Sequence, residues 1–400
     1  MLLGCASSVP SAMETAGKEG EPNIRACLAE NLAAATLGFE GVYILELEEA
    51  RYQLDQSIGT LNASLRGKEL ILKNDRRYFE LSAPQTVVFK PSASGNRFIF
   101  NDIPYAGELW FQVEEQGVTV VNKLPVETYL LGVVPFEIPT NQHEYQEAIY
   151  AQAIAARTYA IYRLQNPVNS RYDIRSDVQD QVYQGMLKKA PLAEDAITAT
   201  RGIILANSSR VDKIFFHSTC GGVVEATPDT LAAASAGSGA FAYDLSDNDY
   251  NCKVSPYYRW VEVRTLETIL WNLQKEFRLD SLLVRDWLET GCKLDIQIAK
   301  RRQSGRIEEM IMRVEDQLFP VSGFRIRRIL ADQTGKVLPS NFFFFTESPG
   351  SWEKLYLIGA GAGHGEGMCQ WGAIGLALKG NSYKSILGFY YPNLSMVKFY

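Results

Sequence analysis

The sequence predicts an α+β fold with mixed β-sheets, packed helices and a β-rich N-terminal lobe. Ile24 to Asn122 consists of short alternating apolar runs separated by Gly, Asn, Asp and Pro, the pattern of half-buried strands. Glu144 to Leu164 has the composition of a buried helix. Strand-like runs return between Ile296 and Arg325, with a turn at Gln303 to Gly305. Together these segments favour the α+β class.

Length and charge limit the function classes. The chain has 400 residues, 46% of them hydrophobic, which is enough for a large core in one or more domains. Its formal net charge is −6, so nucleic acid is not an expected partner. The densest basic run, Lys300 to Arg306, is expected to be a solvated flank of a hairpin. No apolar run has the length of a membrane span.

The N-terminus resembles the end of a bacterial lipoprotein signal. Met1-Leu-Leu-Gly-Cys5 ends in the cysteine that would carry the lipid, although the apolar part is too short for a complete signal peptide. Residues 6–23 contain few bulky apolar residues and are expected to form a tether. The prediction is a leader and tether over residues 1–23, a location in the cell envelope and a lipid anchor at Cys5. A chance match is the alternative.

The elements that follow the N-terminal lobe can be predicted in order. A short helix over Glu127 to Leu131 follows Pro125, which is favourable at a helix start. The next stretch, GVVPFEIPTN, is predicted to be non-helical because Pro135 and Pro139 interrupt it. The remaining predicted elements are a helix from Ala190 that leads to a strand at Gly202–Leu205, a strand at Lys213–Phe216, a surface loop at Leu231–Tyr250, one helix at Thr265–Leu288, a strand at Asn341–Thr346 and a helix at Ser382–Tyr390.

Two long motifs suggest a family. They are VNKLPVETYLLGVVPFEIPTN with the helix AQAIAARTYA after it, and GAGHGEGMCQWGA near the C-terminus. FFHSTCGG, SGR and LPSNFF lie between them in the same order as in the family. From about Ile24 to Tyr400 the chain resembles the stage II sporulation protein D (SpoIID/LytB) family. The resemblance implies a peptidoglycan lytic transglycosylase acting on glycan strands.

The catalytic acid of the family falls on Glu137. Cleavage of a glycosidic bond needs a carboxylic acid that protonates the leaving oxygen. We expect desolvation in the proline-framed bend to raise the pKa of Glu137, which keeps it partly protonated. One Glu suffices as acid and then base if the muramic 6-hydroxyl attacks intramolecularly and leaves a 1,6-anhydro end.

The glycines around His364 predict a flexible loop that approaches a polymer closely. They stand at 361, 363, 365 and 367, where they allow backbone angles barred to other residues. His364 is predicted to present its imidazole to the substrate or to Glu137, in one cleft within residues 123–400. The alternative is a structural histidine bonded to the backbone.

Four further residues are candidates for substrate binding. Gln370 is expected to supply amide hydrogen bonds and Trp371 a platform for a sugar ring, with helix packing as the alternative for both. Arg157 is expected to pair with a carboxylate near the cleft, or else to form a buried structural ion pair. Tyr183 lies in DQVYQG, which resembles a family segment, and is the fourth candidate.

The chain departs from the family pattern near both motifs. Phe136 and Ile138 flank the acid in place of Ser and Met. Ala362 replaces a Trp, Glu366 adds a carboxylate beside the histidine, and Cys369 replaces a Ser and is oxidisable. The acid and the histidine are retained, so activity is expected, and the departures bear on substrate preference.

His217, Cys220 and Cys252 form a predicted metal site. Some family members bind zinc with a His and two Cys, and these soft ligands suit zinc. A Cys220–Cys252 disulfide and free thiols are the alternatives. A zinc ion here is expected to be structural, and no organic cofactor is implied.

Two rival functions remain open. Relatives described as amidase enhancers share these motifs, so the chain is alternatively a non-catalytic wall-binding protein that stimulates a cell-wall amidase. The second rival is a zinc hydrolase centred on His217.

Overall fold

The computed structural model describes residues 20–47, 50–207, 210–225, 250–348 and 351–400. Cys5, most of the predicted tether and all but the last residue of the predicted 231–250 loop lie outside the described residues. The chain divides into two compact units. The first comprises residues up to Ile214 together with Leu394–Tyr400, and the second comprises Phe215–Asn393.

The strands and helices are numbered in chain order. The strands of the first unit are β1 Asn23–Ala29, β2 Ala34–Glu40, β3 Tyr43–Leu47, β4 Ala50–Leu54, β5 Leu61–Arg66, β6 Glu69–Lys73, β7 Tyr78–Ser82, β8 Gln85–Pro91, β9 Arg97–Phe100, β10 Ile103–Ala106, β11 Glu108–Glu114, β12 Gly117–Pro125, β13 Ile174–Arg175, β14 Ile203–Ala206 and β23 Ser395–Lys398. Its helices are α1 Val126–Leu131, α2 Val134–Glu137, α3 Gln146–Gln165 and α4 Pro191–Ala199.

The second unit holds the other elements. Its strands are β15 Phe216–His217, β16 Trp260–Thr265, β17 Leu294–Arg301, β18 Ile307–Val314, β19 Gln317–Ser322, β20 Phe343–Ser348, β21 Ser351–Gly359 and β22 Met368–Cys369. Its helices are α5 Leu266–Phe277, α6 Ser281–Thr290, α7 Phe324–Ile329, α8 Gln370–Leu378 and α9 Tyr383–Tyr390.

Two large sheets dominate the first unit. One has seven strands in the order β13-β1-β12-β11-β8-β3-β4, and the other has six in the order β10-β9-β2-β5-β6-β7. The predicted β-rich N-terminal region and the α+β class are therefore confirmed. The strand β14 lies beside β23, so the last residues of the chain return to this unit. Among the described residues, no helix combines the length and the apolar character needed to span a bilayer.

The helix α3 is the buried centre of the first unit. Its small residues Ala148, Ala151, Ala155 and Ala156 are fully buried, and the helix packs against α1, α4 and β14. Side chains without bulk let backbones approach closely, and the predicted buried helix is confirmed.

One prediction about the proline-framed bend is wrong. Val134–Glu137 forms a single helical turn with Pro135 in its first turn. A proline is tolerated there because its missing N–H would have no partner inside the helix. The turn ends at Ile138, which is extended (φ −132°, ψ 146°) as expected for a residue before Pro139.

The predicted long helix over 265–288 is two helices. Arg278 adopts the left-handed conformation (φ 54°) at the end of α5. Asp280 then caps α6 by accepting a hydrogen bond from the backbone N–H of Leu282 at 2.9 Å. These helices cover the β17-β18-β19 sheet, and their shared core includes Leu270, Trp287 and Met312.

Candidate functional site

Glu137 ends the short helix α2 and is half-buried. Its Oε1 accepts a hydrogen bond from the backbone N–H of Val182 at 3.0 Å. A second hydrogen bond, from Gln184 N to Gly132 O at 3.1 Å, joins the same two segments. The bend that carries the acid is therefore held against residues 182–184, and its position does not depend on the side chain alone.

The close approach of these segments explains Gly132. A Cβ added there would lie 2.5 Å from a ring carbon of Tyr183 and 2.6 Å from Gly185 O. Lys188 closes the other side of the bend, since its Nζ donates to Pro135 O at 2.9 Å and lies 5.9 Å from the ring centroid of Phe136. Phe136, which replaces a family serine, thus contributes a cation–π contact beside the acid.

The structure places Arg157 away from any surface. Its side chain is 0% exposed, and its Nε and Nη2 donate to the two carboxylate oxygens of Glu127 at 2.9 and 2.7 Å. Further hydrogen bonds reach Ile203 O at 3.1 Å and Ile197 O at 3.2 Å. This burial fits the alternative of a structural ion pair, and contact of Arg157 with substrate stays a prediction.

Tyr183 is also a buried residue. It is 2% exposed, and its hydroxyl donates to Asn122 Oδ1 at 2.6 Å. Its ring packs against Tyr129 and Tyr105, with centroids 4.7 and 5.6 Å away. Tyr183 therefore packs beneath the Glu137 bend, and its contact with substrate stays a prediction.

The glycine loop in the second unit is pressed onto a neighbouring strand. All four glycines have positive φ, from 69° at Gly367 to 98° at Gly363. A Cβ on Gly367 would lie 1.7 Å from Phe215 O, and one on Gly363 would lie 2.9 Å from His217 Cβ. The requirement for glycine therefore comes from packing of this loop on Phe215–His217. The predicted close approach of a polymer to the loop stays a prediction.

Both ring nitrogens of His364 contact the backbone. Nε2 lies 3.0 Å from Phe216 O, and Nδ1 accepts from the N–H of Glu366 at 3.1 Å. This pattern requires the neutral tautomer with its proton on Nε2. The geometry matches the alternative of a structural histidine, and a catalytic role for His364 stays a prediction.

A cavity of about 430 Å³ opens beside His364. Both charge signs line it, and Arg302 pairs there with Glu366 at 2.9 Å. Burial lowers the pKa of Arg327, another lining residue, to about 10. Arg306 also lines the cavity but is only 3% exposed. The prediction that the whole basic run is solvated is therefore wrong at Arg306.

Gln370 and Trp371 begin helix α8. Gln370 is 4% exposed, which fits the helix-packing alternative. Trp371 is half-buried, and its backbone N–H donates to Ser218 O at 3.0 Å. Sugar stacking at Trp371 stays a prediction.

The predicted metal ligands lie together, with one additional cysteine. One ligand atom from each of His217, Cys220 and Cys369 lies within 4.8 Å of the others. Cys252 Sγ is 3.5 Å from Cys220 Sγ, farther than the roughly 2.05 Å of a disulfide bond, and both cysteines are free. The sequence analysis noted Cys369 only as a departure from the family motif. Because cysteine is a strong metal ligand and serine is not, this replacement could have indicated an additional ligand.

Glu137 and His364 belong to different compact units. Glu137 is grouped with the buried Tyr183 and Arg157, while His364 is grouped with Gln370, Trp371 and the cysteine cluster. The cleft shared by Glu137 and His364 stays a prediction.

Comparison with known proteins adds to this geometry. Residues 114–206 match the family model described as Stage II sporulation protein, SpoIID, and residues 236–367 match a domain of unknown function, DUF8618. An uncharacterized protein of Brachyspira hyodysenteriae is 29% identical over 76% of this chain and 74% of its own length. The Stage II sporulation protein D of Bacillus amyloliquefaciens is 27% identical over 69% of this chain and 75% of its own length.

An amidase enhancer of Bacillus subtilis is 25% identical over 98% of this chain. The match spans 56% of the length of that relative. The matched residues 114–206 include the Glu137 motif. The chain thus contains a SpoIID domain over residues 114–206 and is similar over most of its length to proteins of the SpoIID/LytB family.

Proposed function

We propose that this protein is a lytic transglycosylase that cleaves the bond between N-acetylmuramic acid and N-acetylglucosamine in peptidoglycan. The observation that carries the proposal is the placement of Glu137. It stands half-buried at the end of a one-turn helix, where its side chain accepts a hydrogen bond from Val182 N and the preceding Gly132 O accepts one from Gln184 N. A fixed, partly desolvated carboxyl group is what general acid catalysis on a glycosidic oxygen requires.

The reaction needs a single carboxyl group. Glu137 gives its proton to the bridging oxygen as the bond from the muramic C1 breaks. The muramic 6-hydroxyl then attacks C1, and the Glu137 carboxylate takes the proton of that hydroxyl. The products are a 1,6-anhydromuramic end and a free 4-hydroxyl, no water is consumed, and the acid is regenerated. Val182 N–H keeps the carboxyl group oriented through both steps.

The second candidate function is a non-catalytic wall-binding protein that enhances a partner amidase. The relative named amidase enhancer favours it, because that relative aligns with 98% of this chain. Both candidates act on peptidoglycan outside the cytoplasm, so we propose an extracytoplasmic location. The lipid anchor at Cys5 stays a prediction.

The two candidates differ in product. We would incubate the full chain and its Glu137→Gln variant with glycan strands stripped of stem peptides and analyse the mixture by mass spectrometry. Gln keeps an acceptor for Val182 N–H but has no proton to give. The enzyme predicts anhydromuramic products that disappear in Glu137→Gln and persist in a control, Glu144→Gln, at an exposed position.

Other outcomes overturn the proposal. Equal sedimentation of both forms with strands, no product, and faster release of stem peptides by an added amidase would establish the enhancer. Product that survives Glu137→Gln but is abolished by a chelator would instead indicate a zinc hydrolase.

A further inference from the structure

We propose that Cys369 is a fourth protein ligand of the zinc site at His217, Cys220 and Cys252, and that it closes this site to water. The resemblance to the family implies only the first three ligands. The additional assignment is Cys369, which fills the position that water would otherwise hold. The inference does not depend on the chemistry of Glu137.

The separations suit tetrahedral zinc. With zinc–sulfur bonds of about 2.3 Å, two thiolate ligands of a tetrahedral site lie about 3.8 Å apart. Cys220 Sγ and Cys252 Sγ are 3.5 Å apart, and ligand atoms of His217, Cys220 and Cys369 lie within 4.8 Å of one another. Cys252 joins this set through its contact with Cys220, and binding of one ion by all four residues requires movement of the Cys252 side chain.

His217 is prepared as a ligand. It is 4% exposed, and its Nδ1 lies 2.9 Å from the carbonyl oxygen of Glu366. A carbonyl can only accept, so the proton is on Nδ1 and Nε2 carries a lone pair. Within the described parts of the chain, Nε2 is a buried atom without a hydrogen-bond partner. Such an atom is costly unless something binds it, and a carbonyl that fixes the histidine tautomer is usual behind a metal ligand.

Cys369 is held in the same manner. Its Sγ accepts hydrogen bonds from the backbone N–H of Cys220 at 3.1 Å and of Gly372 at 3.2 Å. The second bond caps the N-terminus of α8, where the helix dipole favours negative charge. Two N–H donors aimed at one sulfur stabilise a thiolate, which is the form that binds zinc.

A buried cation balances the charge of the centre. Zinc with three thiolates and a neutral imidazole carries a net charge of −1, which is costly to bury alone. Arg306 is 3% exposed, and its Nη2 donates to Cys220 O at 2.8 Å while its Nη1 donates to Val223 O at 3.0 Å. A buried guanidinium at this place compensates the thiolates.

Burial of all four side chains makes the centre structural. Their exposed fractions are 4% for His217, 6% for Cys220, 1% for Cys252 and 0% for Cys369. A site with four protein ligands keeps no open position for a reacting water, whereas catalytic zinc does. The centre instead ties the His217 strand, the Cys252 segment and the start of α8 together.

X-ray absorption on the zinc-loaded wild type tests the ligand set without any variant. The expected result is one zinc per chain with three sulfur ligands at about 2.3 Å and one nitrogen. Two sulfur ligands with two light atoms would overturn the assignment of Cys369. Absence of metal, with a Cys220–Cys252 disulfide found by mass spectrometry of the alkylated, unreduced protein, would overturn the whole centre.

Cobalt replacement supplies a second readout. In Cys369→Ser, the sulfur-to-cobalt charge-transfer band is expected to lose about one third of its intensity, because two of three thiolates remain. Cys292→Ser is the matched control, since Cys292 is 6% exposed and lies outside the cluster; its band is expected to equal that of the wild type. An unchanged band in Cys369→Ser would refute the proposal.

Discussion

Arg157 and Glu127 form a two-point ion pair in which both carboxylate oxygens receive a guanidinium N–H, at 2.9 and 2.7 Å. Glu127 Oε1 also accepts from Gly202 N at 2.9 Å and from the Tyr400 hydroxyl at 2.6 Å. One buried carboxylate thus joins α1, α3, the turn before β14 and the C-terminal residue. The family motif that contains Arg157 contributes in this way to stability.

The first prediction concerns that pair. Arg157→Met leaves the Glu127 charge buried without its partner, so the free energy of unfolding is expected to fall by about 3–5 kcal/mol. Urea denaturation followed by circular dichroism measures it. Arg313→Met, in a pair whose side chains are 55% and 42% exposed, serves as the control and should have little effect. If Arg157→Met keeps wild-type stability but no longer binds glycan strands, Arg157 is a substrate residue after all.

The second prediction is a pH dependence. Burial raises the pKa of Glu127, but the hydrogen bonds and charge of Arg157, with Tyr400 and Gly202, outweigh it and lower the pKa below 4.5. A lowered pKa in the folded state stabilises the protein above the unfolded pKa, about 4.3. This contribution is lost as the pH falls through the folded pKa.

Unfolding free energies measured from about pH 6 down to about pH 3 are therefore expected to fall less steeply in Glu127→Gln than in the wild type. Glu115→Gln, whose native side chain is 69% exposed, should follow the wild-type curve. Parallel curves for the wild type and Glu127→Gln would contradict the role given to this carboxylate.

The third prediction separates strain from close packing in the glycine loop. Gly367 has φ 69° and faces Phe215 O, whereas Gly380 has φ 82° and open space around it. Gly380→Ala is expected to cost about 1 kcal/mol of unfolding free energy from backbone strain alone. Gly367→Ala adds a steric clash with a backbone carbonyl and should cost more than about 3 kcal/mol. Thermal denaturation measures the loss of stability in both variants. Equal losses would mean that the loop can shift away from Phe215 O without further loss of stability.

The fourth prediction concerns His364. His364→Ala removes two hydrogen bonds to the backbone, from Nε2 to Phe216 O and from Glu366 N to Nδ1. The expected loss is about 1–3 kcal/mol in the free energy of unfolding. His364→Gln should recover part of it, since an amide both donates and accepts. If the alanine variant is as stable as the wild type but forms no anhydromuramic product, His364 acts in the chemistry instead.

Local patterns predicted the elements well where the local signal was strong. The β-rich region over Ile24–Asn122, the helices α1, α3 and α4, and the hairpin turn at Gln303 to Gly305 lie where the sequence placed them. The predicted strand at Lys213–Phe216 is wrong over its first three residues, since the strand there is Phe216–His217. The errors in predicting helices occur where the same residue type is compatible with more than one local structure. Pro135 permits the first turn of a helix although it forbids the interior of one, and Arg278 ends a helix without the usual glycine.

The sequence by itself determined the fold class and the resemblance to the SpoIID/LytB family, because ordered motifs and hydrophobic periodicity are carried by residue types; that Glu137 is the acid stays a prediction. Only the tertiary structure decided which polar residues face inward and which sulfur atoms meet. Cys369 binds a backbone N–H of a residue 149 positions away, and Arg157 is neutralised by a carboxylate 30 positions before it. Burial and proximity at such separations arise from folding of the whole chain, so no short stretch of sequence encodes them.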